Sequence, residues 1–153
     1  MNERENIEYR LNGVDVVEFS IKERTLDDID IRSIVFEVTA DIKLNTEFGL
    51  VGVFVTISLY TTENEGENYM ARMKSLIGFE VKDFNNIIVP NAKGILEMPI
   101  KLEAAMRRIA ISTSRGLLHA YLSPTYLKGA FLPIIPELLT PTKSTKKSKE
   151  EIK

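Results

Sequence analysis

The chain has 153 residues, 44% of them hydrophobic and 27% charged, with a net charge of −2 at pH 7. That is the make-up of one globular domain, or one domain with tails, and no apolar run approaches the ~20 residues needed to span a bilayer. Cysteine is absent, which excludes disulfides, thiolate metal sites and Cys nucleophiles and is compatible with a reducing cytosol.

Charge is unevenly spread. Residues Lys143 to Lys153 hold five Lys and two Glu, leaving 15 basic against 20 acidic residues elsewhere, a net of −5. A mildly acidic body argues against a nucleic-acid-binding face. The first ten residues are charged and lack an apolar core, so no signal peptide is expected and the expected location is the cytoplasm.

Taken in chain order, residues 1–13 are polar and end in the turn pair Asn12-Gly13. From Val14 to Lys22 the pattern is β-like, with Val17, Phe19 and Ile21 on one face. The strand can equally start near Ile7, with Asn12-Gly13 as an interruption. Asp27, Asp28 and Asp30 follow and read as a solvated connection. Ser33 to Asn45 alternates cleanly, with Ile34, Phe36, Val38, Ala40, Ile42 and Leu44 on the core face. After a turn near Glu47–Gly49, the segment Leu50 to Tyr60 places Val51, Val53, Val55, Ile57 and Leu59 inward. Residues Thr61–Asn68 read as a polar hairpin loop, and Tyr69 to Val81 returns with Ala71, Met73, Ile77 and Phe79 on its core face.

These segments predict a four-stranded antiparallel meander with consecutive strands as neighbours. Its second face carries Val35, Leu50, Phe54, Met70 and Leu76 among polar residues. Two readings stand: scattered surface apolars, or an oligomer interface or binding groove.

Residues 82–98 are irregular, with turn formers at Asn85-Asn86, Pro90-Asn91 and Gly94. Pro99 suits a helix start, and the helix runs to Leu122. Leu102, Met106, Ile109, Thr113, Leu117 and Tyr121 give one face. Arg107, Arg108 and Arg115 are expected mainly at exposed positions. Ser112, Gly116 and Ala120 recur at four-residue spacing, a row without bulk that lets a second helix approach closely. Gly116 costs such a helix about 1 kcal/mol relative to Ala, a cost that close packing offsets. Pro124 ends or kinks the helix, and residues 125–129 form a last turn closed at Gly129. The loop beyond holds Phe131, Leu132, Ile134 and Ile135 between prolines. Loops lie at the surface, so an apolar one is either tucked under the fold or offered to a partner. Glu137 to Leu139 is a possible further turn. The domain closes at residue 141, and residues 142–153 form a Lys-rich tail expected to be disordered.

The search for chemistry returns little. His119 is the sole histidine and lies within the helix. Ser112 and Ser114 stand seven and five residues from it, spacings that make no hydrogen-bonded Ser/His pair. No glycine-rich phosphate loop and no EF-hand spacing appear. No enzyme, cofactor or metal is expected. What remains is apolar surface, a close-packing helix and an apolar loop, which are parts of a binding or assembly protein.

The order of these parts resembles the protein-export chaperone SecB and its SecB-like relatives. The resemblance rests on the element order over residues 7–140 and on two short motifs. These are Arg115-Gly116-Leu117-Leu118-His119-Ala120-Tyr121, and Gly129-Ala130-Phe131-Leu132-Pro133 with Ile134-Ile135-Pro136. It implies an α+β fold, a sheet covered by one long C-terminal helix. It implies a homotetramer, a dimer of dimers, with Ser112, Gly116 and Ala120 at the oligomer interface. It also implies ATP-independent holdase activity on unfolded polypeptides. The residues placed in the client groove are Phe54, Tyr121, Tyr126, Phe131, Leu132, Ile134 and Ile135. The second helix of SecB is nearly missing here and the tail is basic, so a contact with the export motor SecA does not follow from the motifs. A chaperone dedicated to one partner such as an antitoxin, or a structural assembly subunit, is the alternative.

Overall fold

The computed structural model describes residues 6–22, 34–61 and 69–134. Four long strands, β1 (Tyr9–Ile21), β2 (Ile34–Asn45), β3 (Leu50–Thr61) and β4 (Ala71–Val81), form one antiparallel sheet. A short helix α1 (Phe84–Ile87) follows, then a two-stranded ribbon of β5 (Val89–Pro90) and β6 (Leu96–Glu97), then the long helix α2 (Ile100–Leu122). The fold is α+β, a four-stranded antiparallel sheet with a long C-terminal helix, as the sequence predicts.

Strand order differs from a simple meander. The sheet reads β1-β4-β3-β2, so β1 lies against β4 and not against β2. Strands β2, β3 and β4 do run as consecutive neighbours, and β1 joins from the far side, a Greek-key order. The physical reason lies in β4. A strand whose side chains are as buried as its Met73, Ile77 and Phe79 cannot leave backbone N–H and C=O groups unpaired, and β4 is hydrogen-bonded along both edges. β1 supplies one, pairing Phe19 with Met73 and Val14 with Ile77, while Tyr9 meets the Phe79 ring edge-on at 6.1 Å. The two central strands are therefore β3 and β4, which explains why β3 is apolar on both faces.

β1 carries two register shifts against β4, between Leu11 and Gly13 and between Val16 and Glu18. The first fits the interruption read at Asn12-Gly13. The second ejects Val17, which is 55% exposed and so leaves the core face expected of it; half-buried Val16 takes its place. Met70, expected on the wet face, is buried, as is Tyr60 near the end of β3. The Met70 backbone is held between two strands: its N–H donates to the Leu59 carbonyl and its carbonyl accepts from the Lys22 N–H. Gly49 holds a φ of +64°, and a side chain there would crowd Cβ of Phe84 at 3.3 Å. Surface ion pairs Arg10–Glu80 and Lys82–Glu8 tie strand ends together and, being exposed, contribute little.

Helix α2 starts one residue after Pro99 and ends at Leu122, where the expected bounds lie. Its buried row is not the expected one. Leu102 and Met106 are inward, but beyond them Ala110, Ser114, Leu118 and Leu122 face the sheet, with Ile111 beside them. Ile109 and Tyr121 are exposed, and Thr113 and Leu117 are half-buried. Ser114 is admitted to the core by Ser75 of β4: their hydroxyls lie 2.6 Å apart and neither residue is exposed. Arg107 bonds the carbonyl of Ala40 on β2 and the carboxylate of Glu103. The Tyr121 ring packs at 5.0 Å on Phe19 of β1. The helix thus crosses the sheet obliquely from the β2 edge to the end of β1.

The acidic cluster Asp27, Asp28 and Asp30, the loop after Thr61, residue Ile135, the turn at Glu137–Leu139 and the basic tail lie outside the described residues.

Candidate functional site: the outer side of α2 and the segment that follows it

Helix α2 stops at Leu122 because Pro124 cannot continue it; the Ser123 N–H makes the last helical bond, to the His119 carbonyl. The chain then turns tightly. Thr125 Oγ1 donates to the Leu122 carbonyl and accepts from the Leu127 N–H, and the Ala130 N–H closes onto the Leu127 carbonyl. This turn drives Leu127, Ala130 and Leu132 into the core. Burying each of the two leucines contributes about 1.5–3 kcal/mol, enough to pin the segment. Phe131, between Ala130 and Leu132, and Ile134, beyond them, face out. Phe131 is 63% exposed and Ile134 is 72% exposed.

The expected groove residues therefore fall into separate places. Leu132 belongs to the core and is not offered to a partner. Tyr126 is half-buried and donates its hydroxyl to the Lys22 carbonyl at 2.6 Å, which binds the post-helix turn to the end of β1. Phe131 stacks on His119 at 4.8 Å. Tyr121, 41% exposed, stands with Phe19. His119 and Tyr121 are two residues apart, about 200° around the helix, so the two aromatic groups stand on opposite flanks of α2.

Between those flanks runs the small-residue row. Ser112, Gly116 and Ala120 are exposed, with Ile109 continuing the row towards the helix start. A side chain at Gly116 would meet nothing within 4 Å. The close approach expected of this row is not made among the described residues. The arrangement is a shallow floor of small residues with Phe131 and His119 on one side and Tyr121 and Leu117 on the other.

Phe54 is elsewhere. Its neighbours Val53 and Val55 are buried against α2, so Phe54 projects from the opposite face of the sheet. There Lys43 and Lys74 reach over its ring at 5.0 and 5.2 Å, and it is half-buried. Beside it Gly52, Gly78 and Gly13 line up across β3, β4 and β1, leaving a gap into which the Leu76 side chain leans. Val35, Leu50 and Leu76 on this face are likewise half-buried.

Electrostatically the helix side is one-signed. Between Glu103 and Glu137 the chain contains no Asp or Glu, yet it carries Arg107, Arg108, Arg115 and Lys128. Arg107 is answered by Glu103 at 3.0 Å. Among the described residues no carboxylate pairs with Arg108, Arg115 or Lys128. The sequence reading missed the partners Phe19 and His119; the spacing of two between His119 and Tyr121 was the available signal that they serve different sides.

Among the described residues no group of three His, Asp or Glu gathers where a metal ion could be held, and no helix is long and apolar enough to cross a membrane. Comparison with protein-family models and with curated proteins finds no match for this chain.

Proposed function

We propose that this protein is a SecB-like, ATP-independent holdase that binds unfolded polypeptide on the outer side of α2 and its following segment. The observation that carries the reading is the pairing of a pinned backbone with unpinned side chains: Leu127 and Leu132 are buried while Phe131 and Ile134 stand in water. That alternation holds two large apolar side chains where another chain can cover them. Unfolded polypeptides expose apolar side chains, and covering them releases about 25 cal/mol per Å² of apolar area. A floor of small residues between aromatic flanks accepts many sequences because it reads shape loosely. The function is binding, not catalysis, and the expected location is the cytoplasm.

The exposed row of Ser112, Gly116 and Ala120 supports the assembly half of the proposal, a homotetramer in which α2 meets a second copy. It also favours the second reading, a subunit or dedicated chaperone with one fixed partner such as an antitoxin. A contact with SecA belongs to the export version of the first reading.

The test is aggregation of a denatured reporter protein. A holdase suppresses it near stoichiometry without ATP, whereas a subunit dedicated to a fixed partner does not. Joint replacement Phe131→Ser and Ile134→Ser is expected to weaken suppression while the oligomer mass, read by light scattering, stays the same. Undiminished suppression by that variant removes the assignment of clients to this end of the molecule.

A further inference from the structure

We infer that the Phe131 flank of α2 selects apolar segments bearing carboxylates over the same segments bearing cations; this rests on the holdase reading and specifies its substrate class. Positions 108, 115 and 119 are spaced seven and four apart, which places Arg108, Arg115 and His119 along one side of the helix. Phe131 stacks on the last of them. Arg108 is exposed; Arg115 is half-buried, and its Nε is buried with no hydrogen-bond partner among the described residues. Lys128, exposed, lies three residues before Phe131 in the turn.

The absence of any carboxylate between Glu103 and Glu137 decides the point. Arg10, Lys82 and Arg107 each lie against a carboxylate of this chain. Arg108, Arg115 and Lys128 have none among the described residues, and the sequence around them supplies none from Glu103 to Glu137. An apolar segment docking beside Phe131 brings its flanking side chains against these cations. A carboxylate there gains charge-assisted hydrogen bonds, to which a guanidinium is well suited. A Lys or Arg there meets like charge in a partly desolvated setting and is rejected.

The experiment uses the full chain and two labelled synthetic peptides with one shared core of Phe, Leu and Ile, flanked by Glu in one and by Lys in the other. Fluorescence anisotropy reads affinity. The Glu-flanked peptide is expected to bind about tenfold more tightly at low salt, as two or three exposed ion pairs provide. The preference is expected to shrink to less than about twofold near 0.5 M salt, where screening is strong. Charge reversal at two exposed positions, Arg108→Glu and Lys128→Glu, is expected to erase or invert it, and Phe131→Ser to weaken both peptides alike.

Equal affinities, or preference for Lys, overturn the inference. So does displacement of the Glu peptide by polyuridylic acid, which assigns the cations to phosphate. Loss of peptide binding in step with a rise in mass assigns the flank to a second copy and overturns it too. Where neither peptide binds, reporter aggregation separates the failures: retained suppression overturns the inference alone, and lost suppression removes the holdase reading with it.

Discussion

Helix α2 has two rows with opposite fates. Leu102, Met106, Ala110, Ser114, Leu118 and Leu122 are buried against the sheet, whereas Ile109, Ser112, Gly116 and Ala120 remain outside. One helix thus holds the core together and presents a second row, of small and apolar residues, that stays exposed among the described residues. The largest effect expected of any substitution lies on the inner row. Leu118→Ala, at a position with no exposed surface to relax into, is expected to cost about 2–5 kcal/mol. Urea denaturation reads this as a lower midpoint with an unchanged slope. Ser112→Ala on the outer row is expected to stay within about 0.5 kcal/mol. Similar costs at both positions would dissolve the distinction between the rows.

The next effect sharpens the same contrast from inside the core. Ser114→Ala removes one partner of the 2.6 Å hydroxyl pair and leaves Ser75 with only a long contact to the Val55 carbonyl, at 3.5 Å. The cost of a hydroxyl stranded in the core is about 1–3 kcal/mol. Adding Ser75→Ala removes the stranded group, so the double variant is expected to lose less than the sum of the two single variants. A thermodynamic cycle on the four proteins measures that difference, and strict additivity would mean the hydroxyls do not act as a pair.

That pair also explains where sequence periodicity succeeded and where it failed. Alternation in β2, β3 and β4 is legible because each strand has one covered face, and a period of two leaves no ambiguity. The helix bounds are legible because Pro99 and Pro124 are backbone constraints. The inner row is not. A polar residue at 114 disqualifies the true row in any apolar count, and Ile109 and Tyr121 draw the reading round to the wrong side. Only the position of Ser75 across the interface corrects this, and that is tertiary information. Strand order fails for the same reason: β1 is joined to β2 in sequence but matched to β4 by Phe19, Val14 and Tyr9. At the candidate site, the exposure of Phe131 and Ile134 fits an apolar loop offered outwards, while the separation of Phe54 depends on which strand face meets the helix.

On the outer row the expected effect on subunit stability is smaller and of opposite sign. Gly116→Leu places a good helix former where a side chain meets nothing within 4 Å, so the isolated subunit is expected to gain about 1 kcal/mol. The same bulk keeps a second helix away, and light scattering is expected to show a lower oligomeric mass. An unaltered mass would count against close packing of α2 on another copy. A loss of subunit stability would show that the row is covered after all.

A stability effect as small as that at Ser112 is expected at Phe131, next in the chain to a residue with one of the larger ones. Leu132 is 5% exposed and sits in the same core as Leu118, so its removal belongs with the inner row. Phe131 touches the subunit through its stack on His119, itself exposed, and an aromatic pair in water is worth about 0.5 kcal/mol, the low end for such contacts. Phe131→Ser is therefore expected to move the denaturation midpoint barely at all while reducing reporter suppression. The two readouts must separate for the comparison to hold. If suppression and stability fall together, Phe131 is part of the core in solution, and the two sides of this segment are one structure with one purpose.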